Sequence, residues 1–183
     1  NKKFSCVPLP VKLLKNNQDY RKKLKIPKNA KVFGYHGGPT SFDLDFVKDV
    51  VKQISKRKDN IYFCFMNINK FFSHNKVFFL KGTSSDIQKV KFINTCDAML
   101  HARSIGESFG ISCVEFVIKQ KPILTYKFCQ HRSHFEICKK NIIPYHSFND
   151  LIDIIIKFNK KKIKNFNLKK IYSEENTINK FNK

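Results

Sequence analysis

The sequence predicts an α/β fold: a Rossmann-like parallel sheet of about six strands with helices on both faces. Two observations predict it. Short, continuously apolar runs rich in Phe, Val and Ile recur along the 183 residues, and hydrophobicity without alternation marks strands buried on both faces. These runs alternate with helical segments of ten or more residues, the crossovers that parallel strands require. A chain of this length suits one ordinary domain, which buries roughly 70% of the surface its unfolded form exposes.

The elements follow in order. Residues 1–18 carry Pro8 and Pro10 among few core residues and predict a linker; the chain opens on Asn1 rather than Met, as a piece of something longer would. A short basic helix is expected near Asp19 to Lys25, ended by Ile26-Pro27. Lys31-Val-Phe-Gly-Tyr35 is the first strand. Ser41 is placed to cap a helix whose apolar positions Phe42, Phe46, Val47, Val50, Val51 and Ile54 repeat at helical spacing. Asn60 to Met66 and Lys76 to Leu80 are strands two and three. Ser84 or Ser85 caps a helix through Lys91. Ala98 to Ala102 is strand four, a helix runs from about Phe109 to Lys119, and Lys121 to Tyr126 is strand five. A loop rich in Cys and His leads to a sixth strand at Asn141 to Tyr145 and an amphipathic helix from Phe148 to about Phe158. The domain thus spans 19–160. Residues 161–183 form a Lys/Asn-rich basic tail with a last short helix near Glu174 to Phe181.

Composition limits the partners. The formal net charge is +22, a field that attracts phosphates, nucleic acids and anionic surfaces alike. Only Arg21, Arg57, Arg103 and Arg132 are arginines. The charge is therefore nearly all Lys, travelling with Asn, Ile and Phe, as an AT-rich genome produces. The expected partners are anionic ligands, with peripheral contact to anionic surfaces and no specific nucleic acid. Six cysteines sit mostly inside apolar runs without a C-x-x-C pair, which predicts buried free thiols in a reducing, cytoplasmic setting. No apolar run approaches the ~20 residues that span a bilayer.

In such sheets ligands bind beyond the carboxyl ends of the strands, which directs attention to a few loops. Gly34-Tyr-His-Gly-Gly38 follows the first strand, where residues without Cβ let backbone N–H groups approach an anion. It is neither G-x-G-x-x-G nor a Walker A loop, and an ordinary tight turn explains it equally well. Arg103-Ser-Ile-Gly-Glu-Ser-Phe-Gly-Ile111 follows the fourth strand and enters a helix. The first helical turn has unpaired N–H groups and a partial positive charge, so the amides of Phe109, Gly110 and Ile111 can grip a diphosphate. Glu107 lies just before that turn, and Glu115 about 9 Å further along the axis. A nucleoside diphosphate sugar has the matching order: sugar hydroxyls at Glu107, diphosphate on the helix start, ribose hydroxyls at Glu115. Two Glu at this spacing are common by chance, but Glu115 stands among Cys113, Val114, Phe116 and Val117, where a carboxylate needs a partner.

The block from Asp97 through Glu107-Ser-Phe-Gly-Ile-Ser-Cys-Val-Glu115, followed by Lys121-Pro-Ile-Leu-Thr125, resembles the E-x7-E region of group 1, family-4-type retaining glycosyltransferases of the GT-B fold. Val32-Phe-Gly-Tyr-His-Gly-Gly38 with Phe42-Asp43 is similar to the glycine loop opening the donor-binding half of that architecture. The resemblance implies a C-terminal donor domain in which Glu107 contacts the transferred sugar, in a positioning role rather than as base or nucleophile. It places Phe109 to Ile111 on the diphosphate, Glu115 on the ribose and the nucleobase near Lys81 to Thr83, with His36, Gly37 and Gly38 in the donor loop. It implies a nucleotide-sugar substrate, no metal and no further cofactor, and an N-terminal acceptor-binding domain in the same or another chain. One departure stands out. Many members carry an Arg and a Lys just after the first strand, whereas this chain has Tyr35 and His36, so phosphate charge falls to Arg103, Lys81 or the helix dipole. The alternative is a non-catalytic nucleotide- or polyanion-binding domain on the same scaffold.

Two further patterns have a functional and a plain reading. Cys129-x-His131-x2-His134-x3-Cys138 has ligand types for a tetrahedral zinc site, but its spacing matches no common zinc module. The preferred reading has His131, Arg132 and His134 lining the mouth of the cleft, with Cys138 half-buried. Asn69-Lys-Phe-Phe-Ser73 interleaves Lys with aromatics as base-stacking surfaces do, although most Phe residues fall in the expected strands.

Overall fold

The computed structural model describes residues 10–11, 15–160 and 172–181. Most of the expected linker and residues 161–171 of the basic tail lie outside them. Six strands, β1 (Lys31–His36), β2 (Ile61–Met66), β3 (Val77–Leu80), β4 (Ala98–His101), β6 (Ile123–Tyr126) and β8 (Ile142–Tyr145), form one sheet. Its order is β3-β2-β1-β4-β6-β8, and every pairing is parallel. Two two-residue strands, β5 (Gly106–Glu107) and β7 (His131–Arg132), pair separately beside it.

The expected apolar runs are the buried strands, except that the two edge strands each bury one residue fully, Val77 in β3 and Tyr145 in β8. Burial explains why β1 tolerates Gly34 at its centre: a Cβ there would run into the Cys96 thiol of the following helix layer and the Cys64 carbonyl of β2.

Helices α1 (Asp45–Lys56), α2 (Asp86–Thr95) and α3 (Ile111–Ile118) cross between strands, and α5 (Phe148–Lys157) follows the last strand. Successive β1 side chains face opposite ways. Phe33 meets Phe158, at the end of α5, with ring centroids 5.1 Å apart, while Gly34 abuts Cys96 and Phe92 on the α2 side. Helix α1 packs on α5, and Phe92 of α2 meets Phe116 of α3 edge-on. The sheet is therefore covered on both faces, as the continuous strands require.

Four local expectations are corrected. Residues 20–25 form a turn, not a helix: Ile26 N–H bonds to the Arg21 carbonyl and Lys25 takes φ 54°. Arg21 instead clamps this segment to the sheet, its guanidinium 2.8 Å from Asp97. Ser41 does not cap α1. Leu44 occupies that position without a side-chain cap, and the Ser41 hydroxyl donates to the Gly38 carbonyl. Phe42 lies before the helix, buried against Tyr35, Phe65 and Phe71. The Cys/His loop contains a six-residue helix, α4 (Ser133–Cys138), that no periodicity announced. Ser85 caps α2 as expected, accepting from Gln88 N–H, and the last helix forms as α6 (Glu174–Phe181).

Candidate functional site

The chain fills β1 and the strands on one side of it, then returns to lay β4 on the other side. This reversal of strand order splays the β1 and β4 loops apart at their carboxyl ends, the place where open α/β sheets bind ligands. A cleft of about 660 Å³ opens there between the β1 loop, the β4 loop and the start of α3. His36, Gly37, Gly38, Arg103, Glu107, Phe109, Gly110, Ile111 and Glu115 all line it. Thr83 instead borders a smaller adjoining cavity of about 130 Å³ shared with His36, Gly37, Met66, Asn67 and Lys89. Lys81 is exposed and borders neither.

The β4 loop is pinned rather than loose. The Asp43 carboxylate accepts from the Ser104 N–H and hydroxyl at 2.7 and 2.9 Å, and the Ala102 carbonyl accepts from Asp43 N–H. Gly110 closes the loop as the N-cap of α3, with φ 82°. This left-handed turn corrects the expected start at Phe109. The helix begins at Ile111, so its unpaired first-turn amides belong to Ile111, Ser112 and Cys113. A side chain at Gly110 would be strained by its φ and would press on the Cβ atoms of Glu107 and His134, each 3.2 Å from the added carbon.

Glu107 is held from two directions. Its Oε2 accepts from Arg103 at 2.9 Å, and its Oε1 lies 3.2 Å from His101 Nε2. Burial alone would raise its pKa, but the His101 hydrogen bond and the nearby Arg103 outweigh it and hold the carboxyl below its ordinary value.

Glu115 is only 2% exposed. Its Oε1 lies 2.6 Å from the Lys89 ammonium, reaching over from α2. His36 Nε2 stands 3.1 Å from Oε2 but off the hydrogen-bonding direction, so both of those buried atoms lack a hydrogen-bond partner. Here too burial opposes ionisation, and His36 and Lys89 together reverse it. The sequence indicated that Glu115 needs a partner. It gave no means of naming Lys89, 26 residues earlier on another helix.

The Cys/His pattern does not converge. His131 and Arg132 are exposed on β7, Cys129 and Cys138 are buried, and His134 is fully buried. The preferred reading of this segment does not hold. The four side chains do not gather as ligands, and His131, Arg132 and His134 do not line the cleft. Among the described residues, no group of three or more His, Cys, Asp or Glu side chains is placed to hold a metal ion. Phe71 of the Lys/Phe segment stacks on Phe42, with ring centroids 5.6 Å apart.

Among known proteins, no family model and no curated sequence matches this chain. Solved structures do. HepE from Anabaena, in complex with UDP and glucose, superposes with a TM-score of 0.64 at 18% identity, covering 87% of this chain and 48% of that one. The lipopolysaccharide outer core galactosyltransferase WaaB gives 0.62 at 16%, covering 97% and 54%. A glycosyltransferase from Rickettsia africae gives 0.55 at 18%, covering 88% and 45%. The chain spans about half the length of these structures, and it has the fold of one half of a GT-B glycosyltransferase.

Proposed function

We propose that the chain is the donor-binding domain of a retaining, metal-independent glycosyltransferase that takes a nucleoside diphosphate sugar and works with an N-terminal acceptor-binding domain. The reading rests on one observation: at the strand-order switch, two ionised carboxylates flank a helix start across a single cleft, and one keeps a buried oxygen without a hydrogen bond, 3.1 Å from the His36 imidazole. The Ile111, Ser112 and Cys113 amides and the helix dipole meet the diphosphate, with Arg103 adding charge. Glu107 accepts from sugar hydroxyls. Glu115 Oε2 accepts from a ribose hydroxyl, satisfying an atom whose burial is otherwise costly. The nucleobase lies toward Thr83 and the adjoining cavity.

In this mechanism the protein supplies no nucleophile of its own. Glu107 fixes the sugar, the helix start and Arg103 stabilise charge building on the leaving diphosphate, and that diphosphate assists attack by the acceptor on the face it leaves. Lys89 acts by keeping Glu115 an ionised acceptor. The five free cysteines among the described residues are all buried, which favours a reducing, cytoplasmic setting. No described helix is long and apolar enough to cross a membrane.

A thermal-shift panel of UDP, GDP, ADP and their sugars tests the reading. At 100 times its Kd the cognate donor adds about 2.7 kcal/mol, a rise of several degrees for a domain of this size. Glu115→Ala should abolish most of that rise. A panel without any shift would refute donor binding, and a shift equal for every polyanion would favour a non-catalytic anion-binding domain.

A further inference from the structure

Behind Glu107 runs a row of buried polar side chains that do not line the cleft. His101, at the end of β4, is fully buried, and its Nδ1 lies 2.8 Å from Oγ1 of Thr125, its register partner on β6. The same hydroxyl lies 3.0 Å from Nε2 of His134 on α4, also fully buried. The His134 Nδ1 has no hydrogen-bond partner. Below the row, the Tyr145 hydroxyl donates to the His101 carbonyl at 2.8 Å. Two imidazoles and a hydroxyl in a dry interior are costly unless their bonds are mutually satisfied.

Proton counting limits the order. A threonine hydroxyl has one proton, so Thr125 donates to one imidazole and accepts from the other. The Glu107 carboxylate only accepts, so His101 Nε2 must carry a proton in either order. With both rings neutral, His101 Nδ1 accepts from Thr125, Thr125 accepts from His134 Nε2–H, and His134 Nδ1 is a lone pair without a hydrogen-bond partner. With His101 doubly protonated the row runs the other way and His134 Nδ1–H turns toward the Glu107 carbonyl. The ring tautomers distinguish the two orders. Burial, with the neighbouring His101, pushes His134 down to about 4, so it is neutral at pH 7. The remaining titratable groups around Glu107, the Tyr35 phenol and the Cys113 and Cys129 thiols, are raised by burial and are neutral there too.

We propose that His134 and Thr125 are positioning residues acting through His101: the row fixes His101 as an Nε2–H donor and so holds Glu107 as an ionised, oriented acceptor for a hydroxyl of the bound sugar. The sugar contact rests on the function proposed above; the fixing of Glu107 does not.

The test uses the whole chain with Thr125→Val, which removes the hydroxyl at nearly constant volume, and Thr125→Ser, which keeps it. Imidazole nitrogen NMR should find both His101 and His134 protonated at Nε2 in the parent. In Thr125→Val, His101 should show mixed tautomers and the carboxyl-carbon titration of Glu107 should move upward, with Thr125→Ser restoring both. A parent protonated at Nδ1 on either ring, or a Glu107 titration indifferent to Thr125→Val, overturns the proposal. The sugar contact is read separately, from UDP-glucose against UDP binding. Thr125→Val should cut the extra affinity due to glucose about fivefold to tenfold, the worth of one hydrogen bond, and leave UDP unchanged. If Glu107→Gln leaves that extra affinity intact, the donor reading fails, and the NMR result still decides the positioning role.

Discussion

The two carboxylates beside α3 solve one problem by different means. Glu107 is stabilised locally, by His101 and Arg103 from the strand and loop that precede it, with a buried polar row behind. Glu115 is stabilised at long range, by a cation from α2, and keeps one oxygen unsatisfied. Both are held ionised against burial. A carboxylate fixed by two directed donors keeps its orientation, whereas one balanced by a flexible ammonium keeps its charge and can exchange partners.

The largest expected effect breaks the long-range arrangement. Removing one partner of a buried pair costs about 3–5 kcal/mol. The Lys89 side chain is 26% exposed, so solvent screening reduces the expected loss for Lys89→Met to about 2 kcal/mol, seen as a fall of about 5 °C in Tm. Adding Glu115→Gln should recover most of it, because the stranded charge is gone. If the double variant were no more stable than the single, Lys89 would owe its effect to packing.

Next comes Gly110→Ala, which strains a left-handed turn and presses on Glu107 and His134 but not on Glu115. A cost of about 1–2 kcal/mol is expected, with weaker binding of a nucleotide sugar and little change for the free nucleotide. Equal loss for both ligands would count against separate roles for the two carboxylates.

Acid unfolding separates the regions by pH. All three groups have depressed folded pKa values, so each contributes stability above its unfolded pKa that is lost as pH falls through the folded one. For His134 this window runs from 6.5 down to about 4. For Glu107 and Glu115 it begins near the ordinary 4.5 and extends lower. Glu115→Gln should therefore flatten the stability profile below about pH 4.5 and leave the slope above it intact, as denaturant titrations across this range would show.

The smallest effect is Ser85→Ala. Losing this cap costs about 0.5–1 kcal/mol and loosens the first turn of the helix carrying Lys89, so chemical denaturation should register it while Glu107-dependent binding does not.

The sheet was legible because continuous apolar runs and crossover lengths are local properties of the chain. The cleft's location followed from the sheet, and nine of the expected site residues line it. Failures arose where tertiary bonds override a local signal. Arg21 binds Asp97 and the backbone, which turns an apparent helix into a tight turn. Ser41 spends its hydroxyl on Gly38. Lys89 and the His101–Thr125–His134 row depend on which strands lie side by side: His101 meets Thr125 only through the register of β4 on β6, a fact that no spacing in the sequence encodes.

Tyr172 draws the far end of the chain to the rim of the cleft. Its carbonyl accepts from Val11 N–H at 2.8 Å, and its ring stands edge-on to Phe109, 5.5 Å between centroids. The protein contains no tryptophan, so Tyr172→Trp installs a single indole beside the loop that leads into α3. Any ligand that shifts Phe109 would then change the emission of one fluorophore, and occupancy of the cleft could be followed optically in the unlabelled chain.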